Sequence, residues 1–414
     1  MDLIIGGGIS GLSYAMFSHS DGYLLLEKEN EIGGYCRTTR RNGFTWDYSG
    51  HFFHFQNPEI KDLIMKEMDE NSVLKVNKCT HIKYKDLLVD FPFQKNIHQL
   101  SKEEFIECLV DLFSVDNESY TTFKEMLYSK FGHSIADKFL IPYNEKLYAC
   151  DLDRLDKDAM GRFFPYADKN EIVRNFRITD NTSYNGSFLY PKGGAIQYVE
   201  AINRKLKTEN IVLGKQVVKI FPSSHIAVLN SGEKIHYDNL VSTIPFPMLL
   251  DMLEMDYDSN IYSWNKVLVF NLGFNKKGPN STDHWIYFPE KKYSFYRVGF
   301  YDNILNQDRT SLYVELGFDK NEIINPNEYL GQVLHDLKLT GCIDENQILI
   351  DYESIIMNPA YVHITAESME DVSRKKEKLA QYNIYSIGRY GSWTYCSIED
   401  NIKEARALAQ KLKL

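Results

Sequence analysis

The residues best placed to bind a cofactor stand at the start of the chain. Gly6, Gly8 and Gly11 have the spacing GxGxxG and follow directly after the apolar run 3–5. Glycines at this spacing allow a tight strand-to-helix turn and let a pyrophosphate approach the backbone at the helix N-terminus. Glu27 ends a second apolar run, where its carboxylate can bind a ribose hydroxyl. The pattern predicts an adenine dinucleotide cofactor.

The segment after Glu27 favours FAD over NAD. Lys28 follows at once, and the sequence EIGGYCRT at 31–38 places Gly34 and Arg37 just beyond it. This glycine pair and its arginine resemble the FAD-binding extension of the glutathione-reductase-like and amine-oxidase-like flavoproteins. Together with Ser10 in the first turn, these residues predict an FAD site.

Distant parts of the chain must meet to position this site. The runs 3–5, 24–26, 238–245 and 384–387 are typical of strands of one sheet, and 12–18 and 398–412 of helices. A helix beginning near 398 would aim its N-terminal dipole at the flavin or its phosphates. We therefore expect one FAD-binding domain built from residues 1–57, 180–258 and 375–414, with a β-meander at 216–229.

The remaining segments predict two further units. Residues 58–179 are rich in helical patterning, for example at 102–113, and predict an α-helical insertion. Residues 259–374 mix strand patterns with a helical pattern at 326–337 and predict a sheet that carries substrate-binding groups. The expected fold class is α/β, with a Rossmann-like FAD-binding domain, a helical insertion and a mixed-sheet substrate domain.

Composition narrows the classes of partner. The 414 residues contain no apolar run near the roughly 18–20 residues of a membrane span, and the start of the chain predicts no leader and a cytoplasmic location. Six separated cysteines without a C-x-x-C pair suggest neither zinc nor disulfides. The net charge of −10 disfavours nucleic acid and anionic membranes. An anionic small ligand would need local arginines.

Several separated segments resemble the flavin-dependent UDP-galactopyranose mutases, closest to the eukaryotic type. They are GFTWDYSGH at 43–51, PFQKNI at 92–97, IPYNEKLY at 141–148, WIYFPE at 285–290, FYR at 295–297 and GRYGSWTY at 388–395. Tyr361 lies 28 residues before Arg389, the separation of a diphosphate-contacting tyrosine in that family. The order of the segments is that of the family.

The resemblance implies a mutase that interconverts pyranose and furanose forms of a UDP- or dTDP-linked hexose. The reaction would pass through a flavin N5–sugar adduct on reduced FAD without net redox change. NAD(P)H is the candidate external reductant, and a nucleotide-diphosphate sugar is the expected partner. Whether the chain forms a homo-oligomer stays open.

The resemblance also assigns roles to individual residues. Arg297 would hold the diphosphate, with the hydroxyls of Tyr287, Tyr361 and Tyr395 donating to its oxygens, and His51 would lie beside the flavin. Gly388 and Arg389 would contact FAD, Asn144 and Tyr148 would line the nucleotide pocket, and Arg162, Arg174 and Arg177 are candidates for a second diphosphate arginine.

Three positions depart from the family pattern and leave the sugar and nucleotide open. Ser49 replaces a glycine, Phe91 replaces a tyrosine, and Glu399 stands where an asparagine lies close to the flavin. An FAD-dependent oxidoreductase of the amine-oxidase or protoporphyrinogen-oxidase type is the alternative function, because it shares the FAD fingerprint. A non-catalytic flavoprotein is a second alternative, although it would not need a diphosphate clamp.

Overall fold

The computed structural model describes residues 1–18, 22–115, 119–181 and 186–413. The strands are β1 (Asp2–Ile5), β2 (Tyr23–Leu26), β3 (Thr38–Arg41), β4 (Phe44–Asp47), β5 (Val73–Asn77), β6 (Thr80–Tyr84), β7 (Leu87–Asp90), β8 (Ser187–Pro191), β9 (Ile211–Val212), β10 (Val217–Phe221), β11 (Ile226–Leu229), β12 (Lys234–His236), β13 (Asn239–Ser242), β14 (Ser263–Phe274), β15 (Trp285–Tyr287), β16 (Arg297–Phe300), β17 (Ser311–Asp319), β18 (Leu349–Met357), β19 (Val362–His363) and β20 (Ile384–Ser386). The helices are α1 (Ile9–Ser18), α2 (Pro58–Met65), α3 (Lys102–Ser114), α4 (Phe123–Ile135), α5 (Ile141–Tyr148), α6 (Lys169–Asn175), α7 (Ile196–Asn203), α8 (Phe246–Met252), α9 (Tyr301–Leu305), α10 (Pro326–Leu339), α11 (Ala366–Ala380), α12 (Gly388–Gly391) and α13 (Ile398–Leu412).

A five-stranded parallel sheet joins the two ends of the chain. Its order is β20-β13-β1-β2-β9, so the strand at 239–242 lies between the N-terminal strand and the C-terminal one. Helices and loops cover both faces of a parallel sheet, and its strands are therefore mainly apolar. One face packs on α1, α7 and α13 through Leu12, Val199 and Ile402. The predicted return of both distant segments to one sheet is confirmed.

A larger sheet carries the second half of the chain. Its order is β18-β14-β17-β16-β15-β6-β7, with β19 added beside β14. The pairings are antiparallel except for β6 with β15. Strand β17 alternates between two buried faces, and one of those faces packs on α10 through Val333 and Leu337. The predicted mixed sheet is confirmed, as is the meander β10-β11-β12.

The segment 58–179 is less purely helical than the sequence suggested. It contains α2 to α6, but also β5, which pairs with β8, and the hairpin β6-β7, which extends the large sheet. Strand β6 alternates buried and half-buried residues over only five positions, a period-2 pattern too short to stand out beside the longer helices. The three-domain division itself stays a prediction.

Membrane insertion through a helix finds no support in this fold. None of the helices in the described ranges combines the length and the apolar character that a bilayer span requires.

Candidate functional site

A cavity of about 660 Å³ lies between the two large sheets. Its size falls in the range of small-molecule and cofactor sites. One end is lined by the turns that follow β1, β2 and β13, and the other by residues of β15, β16 and β17. Most predicted site residues line it: Gly6, Gly8, Ser10, Glu27, Lys28, Gly34, Arg37, His51, Asn144, Tyr287, Arg297, Tyr361, Arg389 and Tyr395.

The glycines of the first turn leave space that a side chain would fill. Gly6 has φ +105°, and a Cβ on Gly11 would lie 2.0 Å from the Gly6 carbonyl oxygen. Gly8 and Gly34 face each other so closely that a Cβ on Gly34 would lie 3.4 Å from the Gly8 Cα. The turn and the second glycine pair therefore form one cradle, which exposes backbone to the cavity at the start of α1. Gly11 itself lies beneath the turn and does not line the cavity.

Glu27 is held at the edge of this cradle. It is buried, and its two carboxylate oxygens accept hydrogen bonds from the Gly7 N–H (2.7 Å) and the Glu29 N–H (2.9 Å). An ionised carboxylate has about four acceptor positions, so it can still accept from a ligand hydroxyl. At the rim, the Arg37 guanidinium donates to the carbonyls of Glu31 and Ile32.

The C-terminal segment closes the cradle through Asn401. Its Oδ1 accepts from the Ser10 hydroxyl (2.9 Å) and from the Arg389 N–H (2.8 Å), and it lines the cavity beside the N-terminus of α13. Gly388 packs behind Ser10, since a Cβ there would lie 2.5 Å from the Ser10 hydroxyl. Sequence reasoning missed Asn401; its position in the first turn of a helix aimed at the cofactor was the available signal.

Glu399 does not stand in the cavity wall as its position in the family pattern suggested. Its carboxylate is buried and accepts from the N–H groups of Gln56 (2.9 Å) and Asn57 (2.8 Å). The reason is helical geometry: residues two positions apart lie on different sides of α13, so Asn401 faces the cavity and Glu399 faces the loop before α2. The asparagine near the glycine cradle is therefore Asn401.

A buried ion pair dominates the other end of the cavity. Arg297 on β16 lies directly across from Glu315 on β17, and its Nε and Nη2 donate to the two Glu315 oxygens at 2.7 Å each. The Ser49 hydroxyl also donates to Glu315, and the guanidinium lies 5.8 Å from the centre of the Tyr313 ring. Glu315 was missed, although an acidic residue inside the apolar strand SLYVELGF was a visible signal.

The charges at this site are fixed by their surroundings. Burial alone would lower the pKa of Arg297, but Glu315 and the nearby tyrosines outweigh it and raise the pKa well above its ordinary value. Burial lowers the pKa of His51 to about 4, so its imidazole is neutral near pH 7. The His51 Nδ1 lies 3.3 Å from the Ser49 carbonyl oxygen, which can only accept. The ring therefore carries its proton on Nδ1 and presents Nε2 as an acceptor.

Three predicted tyrosines stand together in the wall. The rings of Tyr361 and Tyr395 are stacked with centres 5.9 Å apart, and the Arg389 guanidinium lies 5.2 and 4.5 Å from those centres. The Tyr287 hydroxyl accepts from the Trp285 indole N–H at 2.8 Å. Burial raises the pKa of Tyr287 and Tyr361, so both hydroxyls keep their protons and can donate to a ligand.

Several buried polar atoms of the cavity wall have no partner among the described residues. They are the hydroxyls of Tyr296 and Tyr313, the Asn144 Oδ1 and the Arg389 Nε. Buried polar groups are nearly always hydrogen-bonded, so these four atoms, which all belong to residues of one cavity wall, are exceptions to that rule.

Two predicted substrate residues lie outside the cavity lining. Tyr148 is fully buried and packs behind Tyr361, with ring centres 5.8 Å apart. Arg162 instead forms an ion pair with Asp400 at 2.7 Å, next to the rim. Arg174 and Arg177 do not line the cavity either. Among the lining residues of the described chain, Arg297 is the arginine that stands at the large sheet.

Comparisons with known proteins agree with this geometry. A family model described as an NAD(P)-binding Rossmann-like domain matches residues 4–66. The chain is 23% identical over 289 residues to a UDP-galactopyranose mutase of Mycoplasma pneumoniae. The aligned residues make up 64% of this chain and 68% of that protein.

Solved structures extend the similarity to the whole chain. A crystal structure of reduced UDP-galactopyranose mutase superposes with a TM-score of 0.91 at 24% identity, covering 100% of this chain and 95% of that one. A putative protoporphyrinogen oxidase from Exiguobacterium sp. 255-15 gives a TM-score of 0.79 at 17% identity, covering 100% and 98%. The resemblance to UDP-galactopyranose mutases seen in the sequence motifs is thus confirmed, and the chain has their fold along its entire length.

Proposed function

We propose that the chain is an FAD-dependent mutase that interconverts pyranose and furanose forms of a UDP- or dTDP-linked hexose. The observation that carries this proposal is one cavity that joins a dinucleotide cradle at one end to a buried arginine with tyrosine hydroxyls at the other. A redox enzyme for an apolar substrate would have no need of the second end. The sequence similarity to a UDP-galactopyranose mutase supports the same reaction.

The cradle has the properties that an FAD site needs. Gly6, Gly8 and Gly34 leave backbone accessible to a pyrophosphate, Glu27 offers acceptors to a ribose, and the Arg389 side chain lines the cavity beside them. Reduced FAD held there by these residues would supply N5 as a nucleophile, a chemistry that needs no net redox change.

Arg297 and the tyrosines would bind the leaving diphosphate. The ion pair with Glu315 engages Nε and Nη2, so Nη1 is the nitrogen that remains to bind a phosphate oxygen. The hydroxyls of Tyr287, Tyr361 and Tyr395, which all line the cavity, would donate to the other oxygens. Donors fixed around the charge that develops on the departing diphosphate lower the barrier to bond cleavage.

His51, which lines the cavity, would act as a hydrogen-bond acceptor for a bound ligand. Because Nδ1 holds the proton, Nε2 can accept a hydrogen bond from a donor in the cavity, such as the N–H of a reduced ring system. With its pKa lowered to about 4, the imidazole would stay an acceptor throughout the neutral range.

The test is isomerisation with and without reduced flavin. The purified protein, reduced anaerobically with dithionite or with NAD(P)H, should convert one member of a panel of UDP- and dTDP-hexoses into a product of unchanged mass. The Arg297→Ala variant should keep its FAD and lose most turnover. The control is Arg374→Ala, whose guanidinium is 75% exposed and pairs with Asp371 outside the cavity. Full activity of Arg297→Ala would refute the assigned role.

An FAD-dependent oxidoreductase is the second candidate, favoured by the similarity to the putative protoporphyrinogen oxidase. Such an enzyme would bleach its oxidised flavin with substrate and form hydrogen peroxide or a reduced acceptor. A mutase needs its flavin reduced beforehand and consumes no reductant per turnover. Substrate-dependent bleaching without isomerisation of any nucleotide sugar would therefore decide for the oxidoreductase.

A further inference from the structure

A cluster of metal-ligand type lies outside the cavity, where β6 meets β15. The Cys79 Sγ, a ring nitrogen of His81 and a carboxylate oxygen of Asp283 all lie within 4.8 Å of one another. The His81 Nδ1 is 2.5 Å, and the Cys79 Sγ 3.8 Å, from the same Asp283 oxygen, Oδ1. Three different ligand types, from two chain segments about 200 residues apart, thus point at one small volume.

Neighbouring groups form hydrogen bonds with the outer atoms of the His81 and Asp283 side chains, as the surroundings of metal ligands usually do. The His81 Nε2 lies 3.2 Å from an Asp90 carboxylate oxygen, so the ring can donate there and turn Nδ1 toward the cluster. The Asp283 Oδ2 accepts from the Asn280 amide at 2.7 Å, which leaves Oδ1 for the cluster. A carboxylate on the outer nitrogen of a histidine and a hydrogen bond to the outer oxygen of an aspartate are typical supports of metal ligands.

The backbone around Asp283 is rigidly held. Its N–H donates to the Asn280 Oδ1 at 3.0 Å, and its carbonyl accepts from the Asn303 amide at 2.6 Å. The Asp283 side chain is 3% exposed, whereas that of His81 is 25% exposed. The cluster therefore combines a fixed inner ligand with a side open to solvent, which gives an ion an entry path.

We propose that Cys79, His81 and Asp283 bind one zinc ion, with water in the fourth position. A thiolate, an imidazole and a carboxylate together suit Zn²⁺, whereas Mg²⁺ and Ca²⁺ prefer oxygen ligands. Ligands of a tetrahedral zinc ion lie about 3.3–3.8 Å apart, which follows from bonds of about 2.0–2.3 Å. The 3.8 Å contact already fits, and the His81–Asp283 contact must open by roughly 1 Å as zinc replaces the shared proton.

The ion would brace one wall of the large cavity. Zinc would tie β6 to the segment before β15, and through Asp90 it would also steady the end of β7. The next residue, Phe91, lines the cavity, and its ring centre lies 5.2 Å from that of Tyr287. The site lies outside the cavity, and its presence does not depend on which reaction the cavity supports.

The first measurement is binding of zinc alone to the chelator-stripped full chain. Calorimetric titration should give one Zn²⁺ per chain, and thermal unfolding should show a higher Tm with zinc. Co²⁺ should give a sulfur-to-cobalt charge-transfer band. Calcium at the same concentration should leave the Tm unchanged. Absence of stoichiometric zinc uptake, or an equal rise of Tm with calcium, would overturn the proposal.

Variants then assign the ligands. Cys79→Ser should abolish the cobalt band, Asp283→Asn should remove stoichiometric zinc binding, and Asp90→Asn should weaken zinc about 10- to 100-fold because it loses only an outer support. Cys150→Ser and His236→Gln are the controls. Neither residue is part of the cluster, so both variants should bind zinc as the wild type does. Zinc affinity unchanged in both Cys79→Ser and Asp283→Asn would exclude this cluster as the site.

Discussion

The two ends of the cavity solve different physical problems. The dinucleotide end is built from backbone, where Gly6, Gly8 and Gly11 make space by lacking side chains. The large-sheet end is built from long side chains, where Arg297 and Glu315 place charge on neighbouring strands. Ligand binding therefore depends mainly on the space between backbone atoms at the first end, and mainly on the balance of charges at the second.

Hydrogen bonding differs in the same way. At the dinucleotide end, Glu27 and Ser10 already bond to the protein itself. At the large-sheet end, the hydroxyls of Tyr296 and Tyr313 are buried without partners in the described chain. A satisfied site costs stability when it is altered, whereas an unsatisfied one loses mainly ligand affinity. Substitutions of these hydrogen-bonded side chains should therefore reduce stability, whereas substitutions of the two unpaired hydroxyls should reduce mainly ligand affinity.

The largest effect is expected for Gly11→Ala. A Cβ 2.0 Å from the Gly6 carbonyl oxygen meets backbone that cannot move without opening the turn. Ordinary overpacking costs about 1–3 kcal/mol, and this contact should cost more, with loss of FAD and of most folded protein. Thermal unfolding and the flavin content of the purified protein measure both consequences.

The matched control for that variant is Gly331→Ala. Gly331 lies in α10, and nothing lies within 4 Å of its added Cβ. Alanine should stabilise the helix by up to about 1 kcal/mol and leave FAD binding unchanged. If Gly11→Ala behaved like Gly331→Ala, the dinucleotide end would not be limited by shape.

The next largest effect is expected for Glu315→Gln, which tests the electrostatic end. Removing one partner of a buried ion pair costs about 3–5 kcal/mol, and glutamine should fall near the lower figure because it keeps an acceptor. FAD content should not change. Since UDP would supply the missing negative charge to Arg297, we expect UDP to raise the Tm of the variant more than that of the wild type.

Asp371→Asn serves as the control for Glu315→Gln. Asp371 is buried and pairs with Lys375 at 2.6 Å on α11, outside the cavity lining. Its loss should lower stability without changing the response of the Tm to UDP. An equal UDP response in both variants would contradict the assignment of the Arg297 end to a diphosphate.

The difference between the two ends also explains what the sequence could reveal. The glycine turn is local, so spacing within about 30 residues predicted its position and its fold. Arg297, Tyr287 and Tyr395 were found only through resemblance to a family, because their neighbours in space lie far away in sequence. The roles of all these side chains stay predictions.

The omissions have the same physical origin. Glu315 meets Arg297 only through the register of two antiparallel strands, which no local pattern encodes. Asn401 reaches the cradle because α13 packs on α1 across nearly the whole chain length. The hairpin β6-β7 was missed because its short alternation acquires meaning only when it pairs with β15.

A smaller effect is expected for Tyr313→Phe. Its hydroxyl is buried without a partner in the described chain, so its removal breaks no hydrogen bond and should leave stability unchanged or raised. Substrate affinity should fall by about 0.5–1.5 kcal/mol, which is roughly 2- to 13-fold in KM. Tyr190→Phe is the contrasting variant, because that hydroxyl donates to Asp47 at 2.8 Å. It should lose about 1–3 kcal/mol of stability instead, and the reverse result would break the comparison.

The smallest expected effect concerns His51, where the two ends meet. Burial chiefly lowers its pKa, and the charges of Arg389 at one end and of Glu315 and Arg297 at the other also act on the ring. The unfolded chain takes up this proton near pH 6.5 and the folded chain only near pH 4. The contribution of the neutral ring to stability is therefore fully present above pH 6.5 and is lost as the pH falls toward 4.

Urea unfolding of the wild type and of His51→Gln at pH 7.0 and pH 5.5 measures that contribution. Between these pH values the wild type should lose about 1 kcal/mol more than His51→Gln, because one pH unit below the unfolded pKa corresponds to about 1.4 kcal/mol. His236→Gln, an exposed histidine, should follow the wild type. Parallel pH profiles for the wild type and His51→Gln would mean that His51 has the same pKa in the folded and the unfolded chain. The folded ring would then take up a proton between pH 7.0 and pH 5.5, and its Nε2 would change from an acceptor to a donor, so the two ends of the cavity would share a cation at the lower pH.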